Sequence, residues 1–185
     1  MEYGSYLRRA SAILLDLVFF VPAGALAALA GRTPVAYAAS WGLLCLLVWG
    51  ILNIHCVQRY GGSPGKLLLG LRIVRADGSP AGYREAWRRS AVVLVFLLLY
   101  FATIFLGFAR IPQAEWDAYP QASWSGDPAR HHRGIELAPA WIQLLIIAGR
   151  FWGLADFVTW VFNARRRRQA LHDLLAGTVV IRRPA

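Results

Sequence analysis

Between Ser90 and Ala109 the chain runs for twenty residues without a formal charge, as SAVVLVFLLLYFATIFLGFA. About 20 consecutive apolar residues is the length at which an α-helix crosses a bilayer. Three further stretches share the property: about Ala10 to Ala30, interrupted only by Asp16; Pro34 to Val57, with no formal charge; and Pro139 to Asn163, which carries Arg150 and Asp156. Inside lipid a backbone must satisfy its own hydrogen bonds, so such segments read as helices. The expected fold class is an all-α membrane protein: one domain over residues 1–185, built as a bundle of four transmembrane helices.

Charge supports this class and argues against another. The net charge is +10, yet charged residues are only 16% of the chain and hydrophobic ones 57%. A nucleic-acid binder spreads basic residues through a polar chain, so no nucleic-acid partner is expected. The partners implied are the bilayer itself, anionic headgroups at a basic face, and a second copy of the chain in a homo-oligomer.

Orientation follows from where the basic residues fall. With the N-terminus in the cytoplasm, the inside holds Arg8 and Arg9, then seven basic residues between Arg59 and Arg89, then Arg165 to Arg168 with Arg182 and Arg183. That is fifteen of twenty, against Arg32, Arg110, Arg130 and Arg133 outside. The positive-inside rule then gives N-in and C-in, the arrangement of a multi-pass plasma (inner) membrane protein. The first segment resembles a secretory signal, with Ala-x-Ala triplets near GALAALAG, but Asp16 breaks its apolar centre and the run outlasts signal length. It is read as retained.

The connections differ in character. GRTP joins the first two segments as a tight hairpin. On the inside, residues 58–89 contain turn chemistry in GGSPGK and DGSP, an alternating LRIVR with strand character, and YREAWRRS, read as an interfacial helix with Tyr83 and Trp87 at headgroup depth. The C-terminal segment 164–185 ends in TVVIR, a second short strand after Gly177, and the two strands are expected to pack together. The outer loop 110–138 is polar and proline-broken, an irregular stretch in which Trp116 and Trp124 touch the membrane surface. Gly149 and Gly153 have GxxxG spacing, and Ala23, Gly24, Ala27 and Ala28 form a small-residue face for close helix approach.

Chemistry is concentrated in charges placed where lipid should be. Asp16, Asn53, His55 and Asp156 come from three helices, and the two carboxylates fall on the order of 10 Å inside the inner boundary. Each must find a partner, water or a proton. Arg150 is near the middle of its segment and about 240° round the helix from Asp156, so it needs Asp16, a carbonyl or water, or a slide toward the outer interface. Three readings stay open: charges that pair and fix helix register, a proton or ion pathway, and a ligand or headgroup site.

Other motifs carry less. GGSPGKL lacks the first glycine of a phosphate loop, with Tyr60 in its place, and has Leu67 where Ser or Thr is required; Lys66 is read as a headgroup or turn contact. His172 and Asp173 are sequence neighbours that a helix does not set face to face. His131 and His132, with Asp117 and Asp127, lack metal-ligand spacing. Cys45 and Cys56 would be about 16 Å apart on one helix, beyond disulfide reach. No hydrolase elbow or HExxH is present, so no enzyme, cofactor or metal is expected.

Three stretches, RRASAILLDL, GGSPGKLLLGLRIVRADG and RRRRQALHDLLAGTVVI, resemble in order the signature blocks of the RDD family of small bacterial membrane proteins, named for one arginine and two aspartates. The resemblance puts the arginine on Arg9, with Arg8 the alternative, and the aspartates on Asp16 and on Asp173 within LHD. The outer loop, Ile111 to Ala138, looks extended for the family, and Asp156 and Arg150 lie outside the blocks. The resemblance implies a transport role, since sodium/proton exchange is attributed to some members. The resulting expectation is a small transporter or exchanger of ions or small solutes. In it, Asp16 binds the proton or cation, Arg9 is its charge partner, and Asp156 and His55 are relay members. The alternative is a non-catalytic assembly or regulatory membrane subunit that binds a partner protein or anionic lipid.

Overall fold

The computed structural model describes residues 2–118, 128–162 and 169–182. Trp124, Asp127 and the arginine run 165–168, used above, lie outside the described residues, as does the side chain of His131.

Three helices are long and apolar enough to cross a membrane: Leu7–Ala30, Pro34–Tyr60 and Tyr83–Phe108. The first consists of α1 (Tyr6–Leu17), one 3-10 turn (Val18–Phe20) and α2 (Val21–Ala30). The tightening falls where Pro22, in the first turn of α2, removes an N–H and crowds the preceding carbonyl. Thr33 then caps α3 (Pro34–Gly50), its Oγ1 accepting from Ala36 N at 3.2 Å. A π-helical turn, Ile51–His55, leads into α4 (Cys56–Tyr60). A short α5 (Pro64–Leu68), strand β1 (Leu71–Arg75) and the long α6 (Tyr83–Phe108) follow. YREAWRRS is not a separate interfacial helix but the opening two turns of α6. Ala86 and Ser90 are buried, so the same helical face continues inward with no breaker between. Beyond it lie α7 (Gln113–Asp117), α8 (Pro128–Glu136), α9 (Ala140–Phe162), α10 (Leu171–Ala176) and β2 (Thr178–Arg182). The 23-residue α9 covers the fourth predicted segment.

The chain divides into two compact units. One comprises Met1–Val18, Trp49–Leu94 and Arg150–Ala185. Its centre is the antiparallel pair β1–β2, with Leu71 opposite Arg182 and Arg75 opposite Thr178, so the expected strand pairing is present. The N-terminal residues lie along the other edge of β2: Gly4 N donates to Val180 O at 3.0 Å and Arg182 N to Glu2 O at 2.8 Å. Ala12, Ile54, Val57, Leu71, Ile73, Ala81, Ala86 and Val180 form its apolar core. Gly177, at φ 67°, ends α10 and turns the chain into β2, a left-handed conformation that favours glycine.

The other unit comprises Phe19–Val48 and Val95–Gly149. Tyr37, Phe108 and Trp116 form a closed aromatic triangle with centroids 5.4 to 5.8 Å apart, joined by Ala27, Ala38, Ile104 and Ile111. The described part of the outer loop is therefore helical rather than irregular, and Trp116 is 3% exposed. Its indole fills this core instead of resting on a membrane surface, because an aromatic ring gains more from full burial against two others. Arg133 Nε bonds Glu115 Oε1 at 2.9 Å, tying α8 to α7. The small-residue face holds for Ala23, Gly24 and Ala27, which are buried, while Ala28 is exposed. A Cβ on Gly149 would lie 3.2 Å from the Phe96 ring. Gly153, which belongs to the first unit, has nothing within 4 Å of such an atom.

Candidate functional site

The polar side chains buried in the first unit fall into two groups, each built round one aspartate. Asp16 sits on α1 facing the turn before α5. The Ser63 hydroxyl donates to its Oδ2 at 2.5 Å and Gly65 N donates to its Oδ1 at 2.8 Å. Lys66 Nζ donates to Ser63 Oγ at 3.0 Å and stands 3.8 Å from Asp16 Oδ2. The approach requires glycine at 65, since a Cβ there would be 2.2 Å from Ala12 O and 2.9 Å from Asp16 Oδ1. Burial pushes the Lys66 ammonium down to about 8 from 10.5. Repulsion from Arg89 and, less strongly, Arg9 adds to this, against attraction from Asp16 and Asp173.

Asp173 is fully buried in the first turn of α10 and accepts from Ala170 N at 3.3 Å. Two arginines reach it from different helices. Arg9 Nη1 of α1 contacts Oδ2 at 3.2 Å, and Arg89 Nη1 of α6 bonds Oδ1. Thr178 Oγ1, the first residue of β2, donates to the same Oδ1 at 3.3 Å. Arg9 Nη2 also donates to Val180 O at 3.4 Å. Burial alone would raise the Asp173 carboxyl, but the guanidinium groups of Arg89 and Arg9 hold it below the usual carboxylate range.

The second group extends to α9. Arg89 Nη2 is 2.8 Å from His172 Nε2, and His172 Nδ1 is 2.7 Å from Asp156 Oδ1. An arginine only donates, so Nε2 accepts and Nδ1–H is given to Asp156. The contacts therefore define a neutral imidazole with its proton on Nδ1. The His172 backbone N–H donates to the same Asp156 oxygen at 3.0 Å. The chain Asp156–His172–Arg89–Asp173–Arg9 thus links α9, α10, α6 and α1 and ends on β2.

Several expectations change here. Arg9 is not the charge partner of Asp16; it bonds Asp173, while Asp16 is held by Ser63, Gly65 and Lys66. The reason is geometric: Arg9 lies seven residues before Asp16 on one helix, and the strand pair brings Asp173 to it instead. His55 is exposed in the π turn and does not join the relay with Asp156; Asn53 bonds its own helix, giving Nδ2–H to Trp49 O at 3.1 Å. Arg150 is exposed on α9 and makes no hydrogen bond or ion pair with a described residue, so it meets neither Asp16 nor Asp156. His172 and Asp173, though sequence neighbours, enter one network, with Nε2 to Oδ1 at 3.7 Å. Of the two readings of Lys66 the turn contact is the one present, to Ser63, with the ammonium directed inward to Asp16 rather than to headgroups.

Arg89 and Ser63 were not singled out from the sequence, and His172 and Lys66 were considered there but not placed beside these aspartates. For Arg89 a signal was present: small residues at Gly82, Ala86 and Ser90 recur at helical spacing and mark the face beside it as buried. For Ser63 and Lys66 none was, because their partner is 47 or more positions away in the chain.

Among the described residues no group of three His, Cys, Asp or Glu side chains is placed to hold a metal. Cys45 and Cys56 are buried and unbridged. No curated protein and no solved structure matches this chain. A model of the RDD family matches residues 3–177, which take in both charge groups except for Thr178 and the Val180 carbonyl. One arginine and two aspartates that the resemblance singled out are here each held in buried ion pairs within a single unit, and the chain belongs to the RDD family.

Proposed function

We propose that this RDD-family protein is a multi-pass protein of the bacterial inner membrane, N-in and C-in with four transmembrane helices, that moves a small cation or solute across the bilayer. The topology is supported by parity. The N-terminal residues, β1 and β2 are hydrogen-bonded to one another, so all three lie on one side. Two apolar helices separate the N-terminus from β1, which returns the chain to that side. Between β1 and β2 lies α6, so a second crossing is needed, and α9 supplies it despite Arg150 and Asp156. The excess of basic residues on these segments makes that side the cytoplasm.

The observation that carries the transport reading is the bridge from Asp156, on a membrane helix, through His172 to Arg89. Histidine is the side-chain type that exchanges a proton near neutral pH. Here the exchange has a structural consequence: a proton on Nε2 would put N–H against the N–H of Arg89, which cannot accept it. Proton uptake therefore strengthens His172–Asp156 and breaks His172–Arg89. Arg89 then retains Asp173 and Thr178, with Arg9 on the carboxylate's other oxygen. In this reading His172 and Asp156 handle the proton, while Asp16 and Asp173 are fixed charges. The role given above to Asp16 thus passes to Asp156.

The test is sodium and proton flux in proteoliposomes, wild type beside His172→Gln and Asp156→Asn. Flux driven by a pH gradient should disappear in both variants while the protein stays folded. No flux of either ion from folded wild type sinks the cation reading. One observation favours the second reading, a non-catalytic assembly subunit: both oxygens of Asp16 and of Asp173 are already held by donors within the protein, with Lys66 beside the first and Arg9 and Arg89 on the second, as charges that fix a scaffold would be.

A further inference from the structure

The first two turns of α6 have two faces of opposite character. Ala86 and Ser90 point inward and are buried, and Arg89 reaches Asp173 from the same side. Tyr83, Arg84, Trp87 and Arg88 point outward, Tyr83 being 55% and Trp87 41% exposed. The two rings lie 6.4 Å apart, tilted by 54°. Arg84 and Arg88 are exposed and repeat at i, i+4, so their stems are about 6 Å apart, and neither bonds a described residue. The one acid in this turn, Glu85, is already held by Arg75 at 3.0 Å and by Gly82 N at 2.9 Å. Of the nearby basic residues, Lys66 and Arg89 are turned inside, and Arg72 is exposed on β1. The outward face is thus uncompensated positive charge beside two amphipathic rings, at the foot of a helix whose next turns are wholly apolar.

We propose that this face, Tyr83, Arg84, Trp87 and Arg88, is a binding site for the headgroup of an anionic phospholipid. The inference rests on the membrane reading above but not on transport. Two guanidinium groups one helical turn apart suit a single phosphate, because each offers paired donors to its oxygens. Tyrosine and tryptophan sit at the depth where acyl chain meets headgroup, with ring bodies in the apolar layer and polar atoms in the wet one. A free phosphate would use the arginines and leave the rings idle. A lipid uses both, and the apolar turns from Ala91 onward continue along its chains.

The full-length protein is reconstituted into phosphatidylcholine vesicles doped with spin-labelled phosphatidylglycerol or spin-labelled phosphatidylcholine. The motionally restricted fraction is measured for wild type, Arg84→Gln/Arg88→Gln and Arg84→Lys/Arg88→Lys. Wild type should restrict phosphatidylglycerol in clear excess over phosphatidylcholine. The double glutamine variant should lose that excess, and the double lysine variant should keep part of it, since lysine holds the charge without the paired donors. Inorganic phosphate should leave the excess unchanged. Equal restriction of the two lipids by wild type, or an undiminished excess in the glutamine variant, overturns the proposal; displacement by inorganic phosphate assigns the face to a soluble anion and overturns it too. A chain that did not span the bilayer would fail to reconstitute at all, which separates loss of the membrane reading from loss of the site.

Discussion

Asp173 and Tyr37 anchor the two units of this protein, and both are buried, yet their surroundings are held by opposite means. Around Asp173 two guanidinium groups, a hydroxyl and a backbone N–H converge on one carboxylate. Around Tyr37 two other rings and a set of aliphatic side chains close a triangle. Dispersion and burial are non-directional and tolerate small adjustments. A buried charge is far less tolerant, because each partner removed leaves its counterpart desolvated without compensation. The unit that carries the signature residues is therefore also the one that specifies its own geometry most tightly.

The sharpest way to break that contrast is Asp173→Asn. It keeps the shape and leaves Arg9 and Arg89 facing a neutral group, and loss of about 3–5 kcal/mol is expected, read from thermal or denaturant unfolding in detergent. Phe108→Ala should cost a similar ~3–5 kcal/mol by opening a cavity, but its cost should be independent of pH. The Asp173 contribution should fall in acid, because a carboxyl held below its usual range gives stability that vanishes as pH drops through its folded value.

Smaller in effect is Gly65→Ala, which drives a methyl into the Ala12 carbonyl and the Asp16 carboxylate; about 1–3 kcal/mol is expected from overpacking, measured in the same way. Next comes a test by alkali. Lys66 is lowered to about 8 from 10.5, so between those values the unfolded chain holds the extra proton and stability should rise with pH. Unfolding of wild type compared with Lys66→Met at several pH values across that window should show the rise in wild type alone. An identical pH slope in the two proteins would contradict the burial of that ammonium. The smallest effect is assigned to His55→Gln, within about 0.5 kcal/mol, since the ring is exposed and outside both charge groups.

Much of the frame was readable from the chain. Apolar length gave the three long helices and α9, and LRIVR and TVVIR announced the two strands that pair. The boundaries drifted where polar residues continue a helix, as at YREAWRRS, because periodicity of buried small residues outweighs local polarity. The charged site was legible only as a list of residues. Asp16 and Asp173 could be picked out, but Arg9 was matched to the wrong one, and His55 was chosen where His172 is the histidine that contacts Asp156. Trp116 looked like a surface anchor and is instead core, since nothing in a polar loop reveals which ring will meet Tyr37 and Phe108.

What the sequence determined by itself is which stretches are apolar enough for lipid, because hydrophobic transfer depends on composition along a stretch and needs no knowledge of partners. It likewise determined that Asp16 and Asp156 must each find compensation, because the cost of burying a charge is a property of the group. Which partner each one finds was decided only by the tertiary structure. Arg9 and Asp173 are 164 positions apart, and they meet because β2 pairs with β1 and α10 precedes it. Ion pairs act over a few ångströms, and separations of that size are set by the packing of whole elements rather than by spacing along the chain.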